Sequence, residues 1–377
     1  MHHRNLPWRA APGGPHMDGY SVVVSELMLQ QTRVDTVLDY FKRWKTRWPG
    51  WAELANAQQD EVLAQWTGLG YYNRARNLHR AAQAVVTLHG GQLPHQAEPL
   101  GALPGLGPYT VGAVRSLAFG LPAALVDGNV ARVLTRWHAL RADSAALVKP
   151  LWQLAQAELN APGPARGDPA SWNQALMELG ATICSPKKPQ CAACPVALHC
   201  QAQALGLQDS IPAVKRRAAS QQVDACYAVV LSPGTPGIGD PLADLVLLGQ
   251  RPDTGRWAGL WEPPGSEDAD PQTLQRWTRA QGWQEVAALA PIRHVLTHRN
   301  YAVTASVWSA GDDSLRDLTA LGYVAARWLP ISEALGAVTG LSRLGQKLVE
   351  AALQPRYDTD NPPLPRASRS GRSPKPS

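Results

Sequence analysis

Apolar residues recur three and four positions apart through the first half of the chain, with polar residues between them. That period predicts helices over residues 18–31, 33–48, 51–57, 59–66, 73–89, 108–119, 128–139, 151–159 and 171–183, an all-α region. Asp18 stands where an N-cap belongs, and Asp127 stands in the same position ahead of Gly128 and Asn129. Beyond residue 223 the pattern changes. Runs rich in Val, Ala and Leu at 225–231, 242–249, 293–296 and 303–309 read as strands, with helices near 272–281 and 341–353. The expected organisation is therefore multidomain: an all-α unit over 1–202, a polar linker over 203–222 that contains Lys215, Arg216 and Arg217, an α+β unit over 223–355, and a disordered Pro, Ser and Arg tail over 356–377.

Composition agrees with two cores. The chain has 377 residues, 45% of them hydrophobic, which is more than one core usually serves. No uninterrupted apolar run approaches the ~18 residues of a membrane helix, and the N-terminal residues have no signal-like apolar stretch, so a cytoplasmic protein away from membranes is expected. Net charge is +6 but is unevenly placed: residues 1–220 hold 21 Lys and Arg against 14 Asp and Glu, and the rest hold 15 against 16. The all-α part is the expected polyanion binder.

Several stretches carry candidate chemistry. Leu103-Pro104-Gly105-Leu106-Gly107-Pro108-Tyr109-Thr110 is dense in turn formers, with Pro108 pre-set for the first turn of a helix. An ordinary turn between helices reads the same way, but Gly105 and Gly107 have no Cβ to keep a phosphate from the next helix's N-terminus. Glu26 has Val22, Val23, Leu29 and Gln30 as its helical neighbours rather than a charged face. Such surroundings disfavour the ionised carboxyl and raise its pKa toward a general acid's range, unless it is an inert glutamate at the mouth of a core. Gly68-Leu69-Gly70-Tyr71-Tyr72 interrupts the helices with two glycines beside two aromatics, which read equally as caps on a core. Arg43, Lys45 and Arg47 interleave with Trp44 and Trp48, and a solvated helix face over buried tryptophans accounts for them.

Four of the five cysteines fall within seventeen residues: Cys184, Cys191, Cys194 and Cys200. A cluster of this kind reads as a ligand set for Zn²⁺ or [4Fe–4S] rather than a disulfide framework. Lys187 and Lys188 give its first loop a basic tip suited to phosphate, and Cys226, in a strand pattern, is a buried core thiol.

The hairpin over 103–114, the position of Asp127, the run Ser25-Glu26-Leu27-Met28-Leu29-Gln30-Gln31-Thr32 and the cysteine spacing together resemble the helix-hairpin-helix DNA glycosylase superfamily that includes endonuclease III. Within it the chain is similar to MutY-type adenine DNA glycosylases, from Leu6 to about Leu353. Leu247-Leu248-Gly249-Gln250-Arg251-Pro252 and Trp257-Ala258-Gly259-Leu260-Trp261-Glu262-Pro263-Pro264 resemble the NUDIX-like C-terminal domain of that family, without the carboxylate box of NUDIX hydrolases.

The resemblance implies a monomeric enzyme with a [4Fe–4S] cluster on the four cysteines. It would excise adenine from double-stranded DNA in A:8-oxoguanine or A:G mispairs. Glu26 would be the acid, Asp127 the anion at the sugar carbon, and Tyr109 and Asn129 the groups that orient Asp127 and the attacking water. Arg9, Leu29 and Gln174 would line the base pocket. Gln31, Thr32, Leu69 and Tyr71 would surround the opposing base, with residues 68–72 as a minor-groove wedge. Where endonuclease III-like lyases place a lysine this chain has Tyr109, which implies hydrolysis without a Schiff base. The family's Phe-Ser-His turn reads Leu296-Thr297-His298, so Thr297 and His298 keep the hydroxyl and imidazole while the aromatic is gone. Two other readings remain open from sequence: an endonuclease III-like or thymine-mismatch glycosylase, and a non-catalytic iron–sulfur DNA-binding protein.

Overall fold

Asp18 starts the first helix by accepting a 2.8 Å hydrogen bond on Oδ1 from the Ser21 amide, which satisfies one of the amides that a helix N-terminus leaves unpaired. This helix, α1 (Gly19–Leu29), stops two residues short of the expected Gln31 because Gln31 is left-handed, with φ 56°. The computed structural model describes residues 4–10, 14–142, 144–161, 167–213, 220–232, 244–267, 271–336 and 339–354. The expected tail over 356–377 and the basic triplet 215–217 lie outside them.

The chain divides into two units: residues 1–219 with 253–260 and 336–341, and residues 220–252 with 261–335 and 342–377. The first is helical, as the period-3.6 pattern predicts. After α1 come α2 (Val34–Arg47), α3 (Trp51–Ala55), α4 (Gln59–Trp66), α5 (Asn73–His89), α6 (Ala97–Ala102), α7 (Pro108–Leu117), α8 (Gly128–Trp137), α9 (Ser144–Asn160), α10 (Pro169–Thr182) and the short α11 (Gln201–Ala204). α9 begins seven residues before the expected 151. Pro150 lies inside it and gives the Ala146 carbonyl no amide, and Ala146 is on an exposed turn of the helix.

The helical core is built on aromatic rings. Trp44 meets Trp48 and Trp66 edge-on at 4.7 and 5.5 Å, and Tyr20 accepts from Trp44 Nε1 at 3.0 Å while donating to the Trp48 carbonyl at 2.9 Å. Arg43, Lys45 and Arg47 lie over the rings of Tyr40, Tyr20 and Trp48, which is the solvated face over buried tryptophans.

The second unit is a mixed sheet with flanking helices. Its elements are β1 (Gln221–Ser232), β2 (Leu245–Gln250), β3 (Trp261–Glu262), β4 (Gly265–Glu267), α12 (Pro271–Ala280), β5 (Gln284–Ala288), β6 (Ile292–Val295), β7 (Arg299–Ser309), β8 (Ala325–Pro330), α13 (Ile331–Ala334) and α14 (Arg343–Leu353). The path runs β3-β2-β1-β7-β5, with β4 on β1, β6 on β7 and β8 on β2. β1 and β7 pair in parallel from Gln221–Arg299 to Leu231–Ser309, and the other described pairs are antiparallel. Of these strands, β3, β4, β5 and β8 were not expected. Cys226 is buried in β1, as a core thiol should be.

Candidate active site

Within the helical unit, α1, α7, α8 and α10 surround one cavity of about 390 Å³, at the small end of the usual ligand range (~300–1,000 Å³). Its lining holds Glu26 from α1, Tyr109 from α7, Asp127 and Asn129 from the start of α8, and Gln174 and Met177 from α10. Two carboxylates 101 positions apart by number thus face one space.

Each carboxyl is held differently. Glu26 is 6% exposed, and the Tyr109 hydroxyl donates to its Oε2 at 2.7 Å. Burial pushes its pKa up to about 7, partly offset by the Tyr109 bond; Asp127 pushes it further up and Arg9 pulls it down. It therefore holds a proton available near neutral pH. The Tyr109 hydroxyl is itself raised well above its ordinary value, by burial first and by Glu26 next, so it stays a donor. Asp127 caps α8: Oδ1 accepts from the Val130 amide at 2.7 Å and Oδ2 from Asn129 Nδ2 at 3.0 Å. The remaining side-chain atom of Asn129 accepts from Arg132 Nη2 at 2.9 Å, and Arg132 also donates to the Gly180 carbonyl at 2.6 Å and the Cys184 carbonyl at 2.7 Å. Gly180 makes this close approach of α10 to α8 possible, since a Cβ there would lie 2.6 Å from Asn129 Cβ.

Arg9, Leu29, Gln31 and Thr32 also line the cavity. Leu69 and Tyr71 do not. Leu69 is packed into the helical core, whereas Tyr71 is 42% exposed and left-handed at φ 48°. Gly105 and Gly107 lie on the exposed turn between α6 and α7, anchored by buried Leu103 and Leu106. Gly105 has φ 83° and a Cβ there would press on Asn77 at 2.6 Å, so this turn requires glycine. Thr297 and His298 form the exposed turn between β6 and β7 in the second unit. The Leu296 amide closes that turn on the Arg299 carbonyl at 2.8 Å.

Glu178 was not singled out from sequence, yet it organises one side of the cavity. It takes Arg4 in a forked pair at 2.7 and 3.0 Å and also accepts from Arg9 Nη1. Burial raises its pKa, but the two arginines outweigh that and hold it below the ordinary carboxylate value. The available signal was its place one helical turn after Gln174 on α10.

The four cysteines Cys184, Cys191, Cys194 and Cys200 share one cavity with Val133, Arg136 and Leu179. Arg136 Nη1 lies 3.4 Å from Cys184 Sγ and donates to the Ser185 carbonyl at 2.7 Å. Among the described residues no three His, Cys, Asp or Glu side chains are grouped as ligands for a metal ion. The donor set at this cavity is four thiols with one cation beside them. Lys187 and Lys188 are exposed on the loop after Cys184.

A family model described as "HhH-GPD superfamily base excision DNA repair protein" matches residues 24–155, and a NUDIX domain model matches residues 242–351. The fold and these matches define a base excision repair glycosylase with a NUDIX-like second unit. The adenine DNA glycosylase of Mus musculus is 38% identical over 385 residues, covering 88% of this chain and 72% of that protein. That of Homo sapiens is 40% identical over 333 residues, covering 78% of this chain and 60% of the human protein. A solved thermostable thymine-DNA glycosylase aligns with TM-score 0.47 and 29% identity, covering 54% of this chain and 91% of that one. The chain belongs to the adenine DNA glycosylase family, enzymes that hydrolyse N-glycosyl bonds.

Proposed function

We propose that this glycosylase removes adenine mispaired with 8-oxoguanine, or with G, from double-stranded DNA by monofunctional hydrolysis. The observation that supports it best is the pair Glu26 and Asp127 on one cavity, the first buried with its pKa near 7 and the second fixed at a helix N-terminus. An adenine stacked in a duplex cannot reach such a cavity, so the nucleotide is extruded into it, with the α6–α7 turn holding the strand by phosphate. Glu26 gives its proton to the departing base, the C–N bond breaks, and the positive charge that develops on the sugar is met by the Asp127 carboxylate. Water then adds at the sugar carbon and gives a proton to the Glu26 carboxylate, which restores the acid and leaves free adenine and an abasic site. Tyr109 and Asn129 orient the two carboxyls; Arg9, Leu29 and Gln174 hold the base. Tyr109 offers no amine, so no covalent imine forms with the sugar.

Gln31, Thr32 and Tyr71 face the opposing base, and Thr297 and His298 add recognition of its 8-oxo form. Cys184, Cys191, Cys194 and Cys200 fit a [4Fe–4S] cluster in donor number and type. When bound, such a cluster cross-links the loop that ends α10 and presents Lys187 and Lys188.

The testing experiment is strand cleavage after alkali on duplexes with adenine opposite 8-oxoguanine, G or C, using the full chain and a Thr297→Ala/His298→Ala variant. Cleavage is expected to rank 8-oxoguanine above G above C, with the variant losing the first preference. Equal cleavage of all three duplexes by the wild type would overturn the assignment.

A further inference from the structure

Arg74, on the first turn of α5, is 7% exposed and its guanidinium reaches two separate loops. Nη1 donates to the carbonyls of Leu27 at 2.7 Å, Met28 at 2.9 Å and Gln30. Nη2 donates to the carbonyls of Leu69 and Gly70, both at 3.0 Å, and to Thr32 Oγ1 at 3.3 Å. Three of these acceptors, Leu27, Met28 and Gln30, are at the C-terminal end of α1, where a helix leaves carbonyls unpaired and favours a cation.

Two of the acceptors adjoin unusual backbone. Gln30 and Gly70 precede Gln31 and Tyr71, two non-glycine residues with positive φ, at 56° and 48°. Left-handed backbone at such residues carries a cost and persists where the surroundings hold it. Here one guanidinium grips the peptide that enters each of them. The Gly70 carbonyl has a second donor, Trp66 Nε1, at 3.0 Å. The Arg74 guanidinium also lies over the rings of Trp66 and Tyr71, 5.3 and 5.6 Å from their centroids. Gln31 and Tyr71 both stand exposed on the helical unit.

We infer that Arg74 is a positioning residue for selection of the opposing base, fixing the spacing between Gln31 and Tyr71 through the two peptides that set their left-handed conformations. This rests on the reading that Gln31 and Tyr71 meet the base opposite the excised adenine. A rigid planar fork suits the task, because it spans both loops with fixed geometry, which an ammonium on a flexible stem does not.

The test is single-turnover excision by the full chain and by Arg74→Lys, on adenine opposite 8-oxoguanine and on adenine opposite a tetrahydrofuran abasic analogue that presents no base to read. The variant is expected to lose about tenfold on the 8-oxoguanine duplex, the worth of one hydrogen bond to a charged group, while its rate opposite the analogue stays near wild type. An equal loss on both duplexes would show a general structural role and overturn the inference. If the wild type itself treats the two duplexes alike, the reading of the opposing base is what fails, and the inference with it. Should Arg74→Lys not fold, Trp66→Phe decides the matter, since it removes the other donor to the Gly70 carbonyl and leaves Arg74 in place. A smaller loss confined to the 8-oxoguanine duplex supports the inference, and an unchanged ratio overturns it.

Discussion

The Tyr109 hydroxyl donates to Oε2 of Glu26 at 2.7 Å, joining α7 to α1 across 83 positions of sequence. Burial and this bond act on Glu26 in opposite directions, and burial is the larger, which leaves the carboxyl at about 7.

Tyr109→Phe removes the bond that lowers the Glu26 pKa, so the value rises above about 7. A rate that depends on protonated Glu26 falls as pH rises through that value. The alkaline limb of single-turnover excision should therefore move to higher pH in the variant. Borohydride should trap no protein–DNA adduct with either protein, because neither side chain supplies an amine.

Glu26→Gln should reduce excision by roughly 10²–10⁴-fold, the usual contribution of a general acid, while DNA affinity by gel shift stays within the wild-type range. Stability moves the other way. The folded value, about 7, is above the ordinary 4.5, so the wild-type contribution is present in acid and disappears as pH rises through the folded value. At pH 8 the wild type holds a buried charge that glutamine does not. The variant should be more stable there, by an effect on the order of 3 kcal/mol, and should match the wild type only near about pH 4, below both values.

Gly180→Ala places a Cβ 2.6 Å from Asn129 Cβ and 2.9 Å from the Asn129 carbonyl oxygen. Backbone must shift to admit it, at the ~1–3 kcal/mol typical of overpacking. The displaced group is the residue that bonds Asp127. Excision should fall by a larger factor than DNA affinity, with a lower melting temperature in the same samples.

Much of the helical unit was legible because its signals are local. Asp18 and Asp127 cap their helices by side-chain bonds three residues ahead, and α4 and α5 begin and end where the apolar period does. Glu26 could be singled out because its helical neighbours are apolar. What escaped is non-local or short. Glu178 acquires its meaning from Arg9, 169 positions away, and Arg74 from carbonyls at residues 27–30 that no side-chain pattern reports. β3 and β4, of two and three residues, are too short to show a period. β8 exists through its pairing with β2 from Leu245–Pro330 to Gln250–Ala325 rather than through its own alternation.

The proposed [4Fe–4S] cluster should make the purified protein brown, and iron and acid-labile sulfide should each be four per chain. Cys191→Ser should lose the colour and lower the melting temperature, because a ligand that binds only the folded loop stabilises the fold by mass action. Zinc in place of iron by elemental analysis would reject the cluster.

Asp127 serves as the first anchor of α8 as well as facing the cavity, so most replacements there confound damage to folding with loss of turnover. Asparagine avoids this, since it initiates helices about as well as aspartate and keeps nearly its shape, yet brings no negative charge. An inactive enzyme that remains fully folded, suitable for capturing intact substrate, is therefore obtained more cleanly through the amide at this position than through alanine.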